Sequence, residues 1–242
     1  MLHAQVAIEV PGDKEAAQQK APNAVAFSNL PEEKRKQFFK HRTEAYRLFN
    51  DKRIVEAHEE LALATKIFDQ DPEVINLLGS CWVEFRDFNK ARALFDEATK
   101  LAPGVSSIIF NIGEMEFVTR NWQKCIDIFN GYIALAGEKD TFMVRIAEFK
   151  MLLCYQALGK DDEAEKLANK YDPLKENTPF YYLAQGALCY RKKDMVKAEE
   201  WNAMAMRVFN NPGAMAPWQD TLIEYGYIKS FYGGEQGELE QK

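Results

Sequence analysis

The 242-residue chain holds only three histidines and four cysteines, and neither set is grouped as metal or disulfide chemistry requires. His3, His41 and His58 lack a second ligand-type residue at a recognised metal spacing. Cys81, Cys125, Cys154 and Cys189 stand singly within apolar stretches, which reads as buried, reduced thiols. Positive charge is not in excess either: 31 Lys and Arg face 37 Asp and Glu, for a net charge of -6. The field that gathers phosphates is therefore missing, and no nucleic acid partner is expected. No run approaches the roughly 20 apolar residues of a membrane span. The opening residues MLHAQVAIEV have no basic start followed by a long apolar core. The expectation is a cytoplasmic protein without membrane insertion. A phosphate-cradling loop is also absent, because Gly159-Lys160 has neither the preceding glycine nor the following Ser or Thr that such a loop needs. Carboxylate clusters such as Glu59-Glu60 and Asp161-Asp162-Glu163 read as solvated helix faces or helix starts. Neither catalysis, a metal nor a cofactor is expected.

What the chain does contain is apolar residues, 47% of the total, arranged with helical period. Residues 1–29 show no sustained period and are expected to form a flexible N-terminal arm. Ser28 and Asn29 are possible caps, Pro31 suits a first helical turn, and Glu32 and Glu33 suit the positive end of a helix dipole. From there helix is expected over 30–232, and 233–242 reads as a flexible tail.

An internal repeat organises this helical region. The stretches 86–91, 120–125 and 193–198 (RDFNKA, RNWQKC, KDMVKA) each run basic residue, Asp or Asn, bulky apolar, any residue, Lys, small residue. Their small residues belong to one register: Ala57, Ala91, Cys125, Ala164 and Ala198. The step is 34 residues, broken only by 39 between Cys125 and Ala164, which places an insertion near 136–142. A second small position lies twelve residues earlier, at Ala45, Gly79, Gly113 and Gly186, with Leu152 breaking the rule in the fourth unit. Glycine inside a helix costs about 1 kcal/mol relative to alanine, so its recurrence in one phase requires a close helix crossing. The unit is a helical hairpin. In its fullest form Ile75, Leu78, Gly79 and Trp82 lie on the first helix, Phe88, Ala91, Phe95 and Ala98 on the second, and Pro103 closes it.

This pattern resembles the tetratricopeptide repeat. The resemblance spans about residues 38–212 and implies an all-α fold, an α-solenoid of about five tetratricopeptide-like helical hairpins. Glu116 departs from it, standing where an aromatic is usual. After the fifth unit, NNPGAMAP (210–217) reads as a break, and Trp218 to Tyr232 as a C-terminal capping helix over the last repeat's apolar face. The family binds proteins along a concave side lined by the first helix of each hairpin. The residues that register assigns to this groove are Phe39, Arg42, Tyr46, Phe49, Asn76, Leu77, Phe110, Asn111, Glu114, Phe117, Phe149, Lys150, Leu153 and Tyr190. Such an aromatic trough suits an apolar or amphipathic protein segment. It makes the chain a scaffold or adaptor. Alternatives are a cytoplasmic chaperone of a bacterial secretion or surface-appendage system, similar in its N-terminal arm and aromatic concave face, and a homodimer or larger structural oligomer. A chaperone-tail carboxylate clamp would have only Arg42, Asn76 and Asn111 as remnants.

Overall fold

A computed structural model describes residues 21–137 and 141–229. Those residues form helices and connecting turns, without a strand among them. Five hairpins follow one another: α2 (Glu32–Asn50) with α3 (Ile54–Ile67), α4 (Pro72–Glu84) with α5 (Phe88–Leu101), α6 (Ser106–Val118) with α7 (Trp122–Ala136), α8 (Thr141–Ala157) with α9 (Asp161–Ala168), and α10 (Phe180–Arg191) with α11 (Met195–Val208). The short α1 (Pro22–Ser28) precedes them and α12 (Pro212–Tyr225) follows.

Helix starts follow local chemistry. The carboxylates of Asp71, Asp87 and Asp194 accept the amides of Val74, Lys90 and Lys197, and Asn211 accepts those of Gly213 and Ala214. These bonds satisfy donors that a helix N-terminus leaves open. The turn inside each hairpin is the same object five times. Lys52, Arg86, Arg120, Gly159 and Lys193 all have φ between 60 and 71°. In each turn the next residue's amide reaches back five residues to a carbonyl, from Arg53 to Leu48 through Asp194 to Cys189, at 2.9–3.0 Å. This left-handed closure satisfies the last carbonyls of the first helix. Four of the five residues in that conformation are basic, and only the fourth unit uses the glycine that the geometry favours.

The small residues sit where the register puts them. Ala45, Ala57, Ala91, Cys125, Ala164 and Ala198 are buried at the crossings. A methyl group added to Gly79 would come within 2.6 Å of the Phe95 ring, and one on Gly113 within 2.6 Å of the Phe129 ring. Each glycine thus makes room for the aromatic sixteen residues later. The fourth unit inverts this pairing: Leu152 is buried in the first helix, and sixteen residues on stands the buried Ala168. Large over small replaces small over large, so the crossing keeps its volume. That complementarity explains the exception at Leu152.

Glu116, the other departure, is fully buried in α6. Its carboxylate accepts from Arg92 at 2.6 Å, Lys124 at 2.8 Å and Asn121 at 2.7 Å. Burial alone would raise its pKa, but these three donors outweigh burial and hold it below the usual 4.5. A lowered folded-state value means that the group stabilises the fold above the unfolded pKa, and that this contribution is lost as pH falls through the folded value. Urea unfolding from about pH 6 to pH 3 should therefore show a smaller acid loss for Glu116→Gln than for the parent, and a deficit of about 1–3 kcal/mol at neutral pH. Parallel stability profiles would contradict this.

Two boundaries differ from those the sequence suggests. Pro22–Ser28, inside the expected 1–29 arm, is helical, and Phe27 packs against Phe38, Phe39 and Phe68 at ring separations of 4.9–5.3 Å. Residues 1–20 and the expected tail at 233–242 lie outside the described part. The last helix begins at Pro212 and ends at Tyr225, so it includes most of the stretch that reads as a break. Pro212 occupies its first turn, where no amide is needed. Its apolar stripe, Met215, Trp218 and Leu222, is buried, which offsets the interior Pro217.

Candidate protein-binding cleft

The last helix packs on the fifth hairpin, with Met215, Trp218 and Leu222 in one cluster with Phe180, Leu183 and Ala205. It extends along the concave side, where the first helices of the third to fifth units present their aromatic residues. Trp218 lies against Phe149, Phe142 and Phe180 with ring centroids 5.5, 5.9 and 6.5 Å away. Tyr225 stacks on Phe117 at 6.3 Å, and Tyr227 on Tyr190 at 5.0 Å. The exposed outer face of α11 keeps Met195, Val196, Met206 and Val208.

This placement revises the groove residues one by one. Phe117, Phe149, Leu153 and Tyr190 are buried, chiefly by α12 and neighbouring hairpins, and belong to the core. The Tyr190 phenol donates to Glu199 at 2.7 Å and accepts from Asn202 at 2.8 Å; burial, then that carboxylate, pushes its pKa up. Phe110 is nearly buried against Phe129 and Tyr132 but keeps an edge on the cleft described below. Asn76 and Leu77 are also buried. Asn111 donates to Asn76 Oδ1 and Ser80 Oγ, both at 3.1 Å, so these amides serve the α4–α6 contact. Arg42 pairs with Glu73 at 2.9 Å and lies 5.0 Å from the centre of the Phe39 ring. No carboxylate clamp is assembled from Arg42, Asn76 and Asn111, because each is engaged within the chain.

At the N-terminal end the first helix stays partly open. Phe39 is 43% exposed, and Tyr46 and Phe49 are half-buried. Burial, with Glu73 nearby, pushes the Tyr46 phenol up to about 12. Glu114 and Lys150 form an ion pair of 2.9 Å across α6 and α8, and the Lys150 ammonium lies 4.7 Å from the Phe117 ring centre.

Between α12 and the concave side a cleft of about 680 Å³ remains. Val83, Phe110, Val118, Met143 and Ile146 supply its apolar wall, and Glu114 and Lys150 reach it from the floor. Along its other rim Lys52 pairs with Asp220 at 3.2 Å and Arg86 with Glu224 at 2.7 Å. The register of the second unit also turns Val83 to the groove, whereas Val118 and the whole α12 wall are absent from the groove residues deduced from sequence. The register could have supplied Val118, since it follows Phe110 and Glu114 at four-residue spacing along the same helix.

No family model and no curated protein matches the sequence. Solved structures do. A thermophilic tetratricopeptide-repeat protein of Thermus thermophilus superposes with a TM-score of 0.59 at 16% identity, covering 78% of this chain and 96% of that one. The chain has the tetratricopeptide-repeat fold. PilF of Pseudomonas aeruginosa gives 0.58 at 12% identity over 81% and 91% of the two chains. MamA (41-end) of Desulfovibrio magneticus RS-1 gives 0.54 at 19% over 72% and 96%. Within this tetratricopeptide-repeat solenoid the described residues include no cluster of three His, Cys, Asp or Glu that could hold a metal ion. None of its described helices is long and apolar enough to cross a membrane. Cys81, Cys125 and Cys154 are buried free thiols and Cys189 is half-buried. Burial pushes the Cys81 thiol up to about 12, which removes thiolate character.

Proposed function

We propose that the chain is a protein-binding scaffold that holds a short amphipathic segment of a partner between α12 and the concave side. The observation that supports this most is the cleft itself. Its volume lies in the range of sites that enclose a ligand, its inner wall is apolar, and its rim carries both signs of charge. An extended segment with alternating apolar and polar side chains matches that cross-section. The aromatic trough expected over units three to five is unsuited to this role, because α12 already fills it. A translocator-chaperone role loses support for the same reason, since Phe117, Phe149 and Tyr190 are covered.

Val118→Asp places a charge on the half-buried inner wall without touching the crossings. Partner capture from the native host by the tagged full chain should fall on the order of tenfold, as truncation of a hot spot does, with helical circular dichroism unchanged. Equal recovery of the same partners by both proteins would reject the cleft as the site.

A second reading, self-association, has one specific support. Val208 occupies in the fifth unit the register of Leu101, which packs against α6 in the second, yet Val208 is 56% exposed. Light scattering at micromolar concentration should report a dimer if this end stacks on a copy, and a monomer would exclude the reading.

A further inference from the structure

The left-handed turn residues Lys52, Arg86, Arg120 and Lys193 align four basic side chains along the hairpin-turn edge of the solenoid. The first two show what such residues do there. Lys52 takes Asp220, and Arg86 takes Glu224 through two bonds of 2.9 and 2.7 Å. The two carboxylates stand one helical turn apart on α12, so one turn of helix spans one step of the repeat. The remaining pair is unused: the side chains of Arg120 and Lys193 make no ion pair or hydrogen bond among the described residues, and both are exposed. They border a cleft of about 460 Å³ floored by Trp122, Tyr225 and Tyr227, with Arg191 at its side. Arg191 is partly neutralised by Asp161 at 2.9 Å. The Tyr227 phenol donates to Gln156 Oε1 at 2.9 Å, which fixes the floor.

We infer that this cationic, aromatic-floored cleft binds an acidic segment of a partner protein, with carboxylates about two helical turns apart reaching Arg120 and Lys193. The Gly159 turn of the fourth unit lies between these two, whereas Asp220 and Glu224 reach Lys52 and Arg86 across one step. The charge balance supports this choice. A chain with net charge -6 repels acidic partners in general, so a pocket presenting three cations and one nearby carboxylate selects where such a partner settles. The aromatic floor packs the methylenes of glutamate side chains and faces guanidinium groups, which favours a peptide over a bare anion. The site lies on the hairpin turns and is separate from the concave cleft, so neither reading depends on the other.

The test uses the full chain and a fluorescein-labelled helical peptide carrying glutamates two turns apart, followed by fluorescence anisotropy at low salt. Saturable binding is expected. Arg120→Glu combined with Lys193→Glu should weaken it by about tenfold, while Arg120→Lys and Val118→Asp retain it, all with unchanged circular dichroism. Absent binding, or equal affinity after the double charge reversal, would overturn the proposal. So would binding that emerges only when Glu235, Glu238 and Glu240 are replaced by glutamine, since the chain's own C-terminal residues would then be the occupant.

Discussion

Gly113→Leu should destabilise the chain by about 1–3 kcal/mol or more and Phe129→Ala by about 3–5 kcal/mol, yet the two together should cost much less than their sum. A side chain at Gly113 enters space that the Phe129 ring occupies, with its first carbon 2.6 Å from the ring. Removing the ring alone leaves a cavity in a fully buried crossing. The double variant rebuilds what the fourth unit already has, a leucine on the first helix facing an alanine on the second. It also replaces a helical glycine, which favours the helix by about 1 kcal/mol. The expected coupling is about 2 kcal/mol or more in favour of the pair. Urea denaturation of the parent, both single variants and the double variant gives the cycle directly. Additive losses would show that the Leu152 and Ala168 arrangement owes nothing to complementary volume.

That crossing shows how far the sequence reaches. The phase of the small residues is visible because it repeats at one spacing, and it places five hairpins correctly. The exchange at Leu152 is not visible in the same way, since its compensation sits on another helix and has no meaning until the two are known to cross. The turn residues are similar. RDFNKA and its counterparts show a basic residue recurring, but nothing in a basic side chain signals positive φ, which glycine or asparagine more often supplies. Glu116 reads as an error until Arg92, 24 residues earlier in the chain, comes to bear on it.

The groove is less legible than the fold, for a physical reason. First-helix register assigns Phe117, Phe149 and Tyr190 to one side of the solenoid, and in the structure they meet Tyr225, Trp218 and Tyr227. Whether that side is open depends on where the chain goes afterwards. Pro212, Gly213 and Pro217 argue locally against helix, and what overrides them is the burial of Met215, Trp218 and Leu222 on a surface built by other hairpins. An occupied groove and an empty one thus share the same register, and only the path of the final helix separates them.

Trp218→Ala should therefore be the most damaging single change in α12, costing about 3–5 kcal/mol. Its ring is completely buried among Phe142, Phe149 and Phe180, and truncation leaves a void that the fourth and fifth hairpins share. Trp218→Phe should be milder, because the indole Nε1 has no hydrogen-bond partner in the structure, so its loss leaves no acceptor unpaired. The ion pairs of the same helix provide the contrast. Lys52–Asp220 joins side chains 67% and 53% exposed, and exposed pairs of this kind contribute about 0.2–1 kcal/mol each. Asp220→Asn with Glu224→Gln, or molar salt, should then shift the unfolding midpoint only slightly. If instead the charge-neutralised variant unfolds as readily as Trp218→Ala, the last helix is held to the solenoid by its carboxylates, and apolar burial is not what closes the groove.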